Sequence, residues 1–261
     1  MDYSLLDRPA LVRALFYPRE DPKPAPGGAL DRFVPVADDV KIRCRYYGGP
    51  ENRPWILFFH GNGEVASDYD QVAPLYQEKG LHLVVAEFRG YGTSSGRPTF
   101  ASLIEDAHPL WQAVKEELAA RLKEPQEEPA LFVMGRSMGS IPALEIASNN
   151  NGRLKGLIIE SSFTSPVGLI RRLGLGSEDA GLTRVEEKCR EKVRNITVPA
   201  LVLHGEDDDL VPLQEAKDLY EGLGSRKKKM AVIAGAGHND LMFVGGERYF
   251  QEIEQFTREL I

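Results

Sequence analysis

The chain has 261 residues, of which 42% are hydrophobic, enough to bury one substantial core in a single α/β domain. A net charge of −7 argues against a nucleic-acid partner, because such proteins carry a basic face. The two cysteines, Cys44 and Cys189, form no CxxC and suit a reducing, cytoplasmic setting. No apolar run reaches the roughly 18 residues of a membrane span, and the first residues, with Asp2 and Asp7, lack a signal-peptide pattern.

Residues 1–29 read as an N-terminal arm. Leu5, Leu6, Val12, Leu15 and Phe16 fall at roughly helical spacing, interrupted by Pro9, and residues 18–28 are an extended proline-rich linker. A helix packed on the domain is the simplest expectation for the first part. A peripheral membrane contact through it stays open, although the stretch carries little positive charge.

Residues 33–36 and 40–47 alternate apolar with polar, as half-buried antiparallel strands do. Continuous apolar runs at 55–59, 81–86, 131–134, 157–159, 201–203 and 230–234 mark buried central strands. Helical patterns at 67–79, 100–123, 138–149, 213–223 and 239–260 separate most of them. This alternation predicts an α/β domain over 30–261, with a mostly parallel sheet and helices on both faces. The polar, proline-bounded stretch 123–129 reads as a surface loop. Residues 161–197 exceed a simple crossover and read as a small cap over the carboxyl ends of the strands. That segment contains Phe163, Leu169, Ile170, Leu173 and Leu175, then a charged helix at 184–194. Its apolar residues either line an acyl site or pack beneath the cap.

Two G-x-S-x-G pentapeptides occur. In Gly92-Thr93-Ser94-Ser95-Gly96 no strand leads directly in, and Arg97-Pro98 follows in place of a helix, so it reads as a loop. In Gly135-Arg136-Ser137-Met138-Gly139 an apolar strand enters and a small-residue helix leaves. That is the context a nucleophile needs at the apex of a tight strand-to-helix turn. Further on, His204-Gly-Glu-Asp-Asp-Asp209-Leu-Val-Pro212 follows one late strand and Gly235-Ala-Gly237-His238-Asn-Asp240 follows the next. An acid and a histidine are thus available behind the serine. Residue type alone chooses neither among Asp207, Asp208 and Asp209 nor among the five histidines.

With His60-Gly61-Asn62-Gly63 and Phe88-Arg89-Gly90-Tyr91-Gly92-Thr-Ser94-Ser-Gly96-Arg-Pro98, these make five ordered motifs. Over about residues 30–260 the chain resembles the α/β-hydrolases, most nearly the BEM46-like serine hydrolases. Leu15-Phe16-Tyr17-Pro18 is similar to that group's opening segment, and Glu87 stands where the group usually has aspartate. The resemblance implies an α/β-hydrolase fold with Ser137 as nucleophile and His238 as general base and acid. The group's H-G-x-x-D register makes Asp208 the acid that orients His238. The backbone N–H groups of Asn62 and Met138 would form the oxyanion hole. His60 and His204 would support the loops they begin, and Glu87 would brace a loop. The implied chemistry is hydrolysis of an ester or thioester in a small-molecule acyl substrate, with no metal or organic cofactor, and an amidase or peptidase would use the same triad.

Two readings of other classes compete. Gly61-Asn-Gly63-Glu-Val-Ala66 is a G-x-G-x-x-A run after a strand, and Glu87 ends the next strand, as in a dinucleotide-binding oxidoreductase. About fifty residues precede it, however, and it leaves the later motifs idle. A non-catalytic binding protein on the same fold is the other. No H-E-x-x-H or clustered spacing points to a metal.

Overall fold

The computed structural model describes residues 3–49, 53–122, 128–150, 152–175 and 180–261. Its frame is an eight-stranded sheet, β1 (Ala29–Ala37), β2 (Val40–Tyr47), β3 (Trp55–Phe59), β4 (His82–Ala86), β5 (Leu131–Arg136), β6 (Leu157–Glu160), β7 (Ala200–Gly205) and β8 (Lys228–Ile233). The order is β1-β2-β4-β3-β5-β6-β7-β8. β1 and β2 pair antiparallel, β2 joins β4 antiparallel, and every remaining pairing is parallel. The apolar runs become strands because both of their faces are covered. Trp55, Leu57 and Phe59 enter one core, whereas Ile56 and Phe58 enter the other.

The helices are α1 (Pro9–Leu15), α2 (Ala73–Glu78), α3 (Phe100–Glu105), α4 (Ala107–Ala119), α5 (Ser140–Asn149), α6 (Pro166–Arg172), α7 (Ala180–Arg194), α8 (Leu213–Gly222) and α9 (Leu241–Arg258). α2 and α9 cover one face of the sheet, and the others supply residues to the core on the opposite face. The arm belongs to this second core: Leu6, Leu11, Leu15 and Phe16 are buried in it, and Pro9 opens α1 rather than interrupting it. Asp7 accepts hydrogen bonds from the free N–H groups of Phe100 and Ala101 at the start of α3.

Three expected elements differ in detail. The helix read over 100–123 is divided at Asp106 into α3 and α4. Pro109 has no N–H to offer the carbonyl of Glu105 four residues back, so the first segment stops there. The helix read over 67–79 is a short turn, Ala66–Tyr69, followed by α2. The segment read as a cap also divides. Leu182, Val185, Cys189 and Val193 on α7 are buried in the main core, and α7 packs against α5 and α8 as a crossover helix. Only α6 and its flanks remain at the carboxyl end of β6. Phe163 and Ile170 are buried packing residues, while Leu173 and Leu175 are exposed. Most of the polar loop expected at 123–129 lies outside the described residues. Among the described residues, no helix is long and apolar enough to cross a membrane.

Candidate active site

At the end of β5 the chain turns through Ser137, which has a φ of 51°. A side chain in this left-handed region is strained, and among the described non-glycine residues only Ser161 shares it. The flanking glycines are forced by contact. A Cβ on Gly135 would lie 2.4 Å from the Gly139 carbonyl oxygen, and one on Gly139 would lie 2.1 Å from the carbonyl oxygen of Phe59. This approach sets the elbow against the end of β3, from which the His60–Gly63 loop departs. A short 3₁₀ turn, Ser137–Gly139, leads into α5, so the Met138 N–H lies at the positive end of a ten-residue helix. Ser140 Oγ donates to the carbonyl of Ser137 and holds the turn closed.

His238 joins the serine to an acid. Its Nε2 lies 3.0 Å from Ser137 Oγ and its Nδ1 lies 2.8 Å from Asp208 Oδ2. Asp208 is buried, whereas Asp207 and Asp209 are exposed. The other Asp208 oxygen accepts from the N–H groups of Leu210 at 3.0 Å and Val211 at 2.7 Å. Burial pushes this carboxyl up. The bonds from His238 and Val211, with the two imidazole rings facing the carboxyl, outweigh burial and hold it below the ordinary aspartate range. The loops that carry Asp208 and His238 also brace each other. The N–H groups of Glu206 and Asp207 donate to the carbonyls of Ile233 and Ala236, and Asp240 accepts from the Gly237 N–H at 2.7 Å. Ser137 and His238 are only 8% and 9% exposed, so the contact between them is nearly enclosed.

His60 and His204 do support the loops they begin. His60 Nδ1 contacts the Gly61 carbonyl at 2.7 Å, and His204 Nε2 contacts the Val211 carbonyl at 2.7 Å. Burial lowers both pKa values, against the opposing pull of those carbonyls and of nearby carboxylates. Both rings are therefore neutral in the fold and take up protons on unfolding. Their contribution to stability is complete above the free-histidine value near 6.5. It is lost as pH falls from there toward the lower folded-state values, at most about 1.4 kcal/mol per pH unit for each ring. Urea unfolding at pH 7 and pH 5.5 is expected to show a loss of up to about 2–3 kcal/mol. Equal stability at the two pH values would contradict neutral burial of these rings.

Sequence reasoning missed Arg136. It is buried between Glu64 and Glu160, pairing with Glu64 and lying 3.2 Å from Glu160. Its Nη2 donates to the His238 carbonyl at 2.8 Å and to Asn239 Oδ1 at 3.0 Å. Glu64 in turn accepts from the Gly61 N–H and from Tyr69 Oη, and Tyr249 Oη donates to Glu160 at 2.7 Å. One guanidinium thus links the loops of Asn62, Ser137 and His238. A variable residue inside the pentapeptide carries no sequence signal for such a role. The only hint is a charge at the end of a buried strand.

A cavity of about 290 Å³ opens beside Arg136 and Asn239, walled by Phe58, Tyr69, Val72, Leu241, Met242 and Tyr249. A larger one, about 560 Å³, lies between α6, α7 and α8 among Arg171, Glu186, Arg190 and Glu215. Charged walls away from the serine make the larger cavity unsuited to an acyl group. The G-x-G-x-x-A run presents no free phosphate cradle. The N–H groups of Gly61, Val65 and Ala66 are taken by Glu64, Asp68 and Glu87. Glu87 is fully buried, 2.5 Å from Arg43 and 3.0 Å from Ser94 Oγ, which leaves no acid for a ribose. The Gly92–Gly96 pentapeptide lies in a loop. Among the described residues, no three of His, Cys, Asp and Glu are grouped to hold a metal ion.

Comparison with known proteins agrees with this architecture. The family described as "Serine aminopeptidase, S33" matches residues 50–173 and 180–242. The bem46 protein of Schizosaccharomyces pombe is 30% identical over 80% of this chain and 69% of its own length. The α/β hydrolase domain-containing protein 17B of Homo sapiens is 27% identical over 84% of this chain and 70% of its own. An esterase of Pyrococcus furiosus superposes with a TM-score of 0.71 at 17% identity, over 93% of this chain and 99% of that one, a likeness of fold. The chain belongs to the α/β-hydrolases, in the BEM46-like family.

Proposed function

We propose that the protein is a serine hydrolase that cleaves a carboxylic ester or thioester through an acyl-enzyme. The observation that carries this reading is the unbroken line from Ser137 Oγ through the His238 ring to Asp208, at 3.0 and 2.8 Å, with the serine at a strained elbow. Ser137 attacks the substrate carbonyl as His238 Nε2 takes its proton. Asp208 holds the ring with Nδ1 protonated and stabilises the imidazolium. The N–H groups of Met138 and Asn62 receive the charge that develops on the carbonyl oxygen. His238 then protonates the leaving alcohol or thiol, and water releases the acid by the same steps in reverse. None of these steps calls on a metal or organic cofactor, and the two buried free cysteines suit a reducing, cytoplasmic setting.

Amide hydrolysis is the second reading, favoured by the aminopeptidase description of the matching family. Ester turnover against a panel of p-nitrophenyl esters and aminoacyl p-nitroanilides separates the two. With the preferred substrate, Ser137→Ala is expected to lower kcat by about 10³-fold or more while the folded spectrum is kept. A Ser137→Ala variant of undiminished activity would refute the mechanism.

A further inference from the structure

The loop that carries Asn62 is fastened by a side chain, whose partners come from the amino-terminal segment and from Tyr91. All three hydrogen bonds of the Asn62 amide leave its own loop. Oδ1 accepts from the Tyr17 N–H at 3.0 Å and from Tyr91 Oη at 2.6 Å, and Nδ2 donates to the Leu15 carbonyl at 2.6 Å. Two donors on one side and a carbonyl on the other allow only one orientation of the amide. Leu15 and Phe16 are buried, and the Phe16 ring meets Phe100 edge-on at 5.1 Å, so the segment that grips Asn62 is itself anchored in the core. Beyond it the chain stays tied to the same region. Gly92 N–H donates to the Arg19 carbonyl at 2.8 Å, Asp21 N–H donates to the Gly92 carbonyl at 3.2 Å, and Arg19 pairs with Asp68. Tyr91, the remaining partner, is fully buried and packs against the rings of His60 and Phe88.

We infer that the Asn62 side chain, clamped by Leu15, Tyr17 and Tyr91, is a positioning group for the oxyanion hole, and that the N-terminal segment is therefore part of the catalytic apparatus. The inference rests on the serine-hydrolase reading above, in which the Asn62 N–H stabilises the oxyanion. A backbone donor contributes only if it already points at the charge when the charge forms. Within the loop the Glu64 carboxylate accepts from the Gly61 N–H, and the Gly61 carbonyl, on the same peptide unit as the Asn62 N–H, accepts from the Glu64 N–H at 3.3 Å and meets His60 Nδ1 at 2.7 Å. Those bonds hold the carbonyl side of the peptide, and the clamp on the Asn62 side chain holds the side that carries the N–H. Losing the clamp leaves the N–H held from the carbonyl side only and less well aimed, so the transition state suffers more than the bound substrate.

The test is steady-state ester hydrolysis by the full-length protein, with hydrogen exchange measured on the same samples. Asn62→Ala is expected to lower kcat by about 10- to 100-fold with KM changed less than twofold. Amide exchange should rise together in residues 15–21 and 60–66. Tyr91→Phe, which removes one of the three bonds, should lower kcat by a smaller factor in the same direction. Leu118→Ala, a core truncation on α4 near the end that leads back to the amino-terminal edge of the sheet, controls for lost stability and should leave kcat near the wild-type value. An active wild type with unchanged kcat in Asn62→Ala would overturn this inference alone, as would a kcat loss that Leu118→Ala reproduces at equal loss of Tm. A wild type that hydrolyses no ester or amide would overturn the hydrolase reading and this inference with it.

Discussion

Asp208→Asn is expected to lower kcat by about 10⁴-fold with little change in KM or in thermal stability. The isosteric amide can keep one oxygen on the N–H groups of Leu210 and Val211, which shape the loop at 3.0 and 2.7 Å. What it cannot do is accept from His238 Nδ1 with the group that replaces Oδ2. An NH2 there turns the imidazole to the tautomer whose Nε2 carries a proton, and that nitrogen can no longer take the one from Ser137. Asp207→Asn and Asp209→Asn change exposed residues and are expected to leave kcat within about twofold, as surface substitutions usually do. Steady-state kinetics on the three variants checks the assignment, and equal losses in all three would contradict it.

The second large effect concerns the fold around the site. Arg136→Ala removes the guanidinium that lies between Glu64 and Glu160 and takes from Glu160, which is 4% exposed, the opposite charge beside it. Breaking a buried pair from one side costs about 3–5 kcal/mol, or a fall in Tm of about 10 °C for a domain of this size. Burial already raises the Glu160 pKa despite Arg136 and the Tyr249 hydroxyl, so the carboxylate has little other support. Arg136→Ala combined with Glu160→Gln is therefore expected to recover part of the loss, because the second change removes the stranded charge. Denaturant unfolding of the two variants measures this, and a double variant less stable than Arg136→Ala would contradict it. kcat should fall as well, since the same guanidinium holds the His238 carbonyl.

The strands were the most legible part of the sequence. The expected runs 40–47 and 55–59 coincide with β2 and β3, because a strand covered on both faces or pairing at the sheet's antiparallel edge has a period that few other structures share. Helix divisions were less legible. Pro109 was in plain view, yet the apolar spacing runs on across it, since α3 and α4 both face the same core. The charged helix in the expected cap hid its role for a related reason. Only Leu182, Val185, Cys189 and Val193 face inward from α7, and a narrow stripe amid charge reads equally as a surface lid or as a crossover helix.

In the candidate site, the sequence order of Ser137, Asp208 and His238 follows the ends of the late strands β5, β7 and β8, which local pattern can reveal. The fold brings those three side chains into hydrogen-bond contact and leaves Asp207 and Asp209 exposed. The groups that fix the loops were not legible. Arg136, Glu64 and the Asn62 amide are joined to partners as far as 47, 72 and 102 positions away, separations that no local pattern encodes. Glu87 was readable as a loop brace, and its carboxylate does join Arg43, Ala66 and Ser94. A methyl on Gly92 would come within 2.0 Å of that carboxylate, which explains why its loop turns on a glycine.

The most direct measurement of the central claim is the reaction of the intact protein with a fluorophosphonate, followed by mass spectrometry of the adduct. A phosphonyl group requires a serine made nucleophilic by its base and an oxyanion hole to receive the new charge. The account predicts a single adduct on Ser137, absent in Ser137→Ala and strongly slowed in Asp208→Asn. A folded wild-type protein that acquires no adduct, or acquires one on another residue, would contradict it.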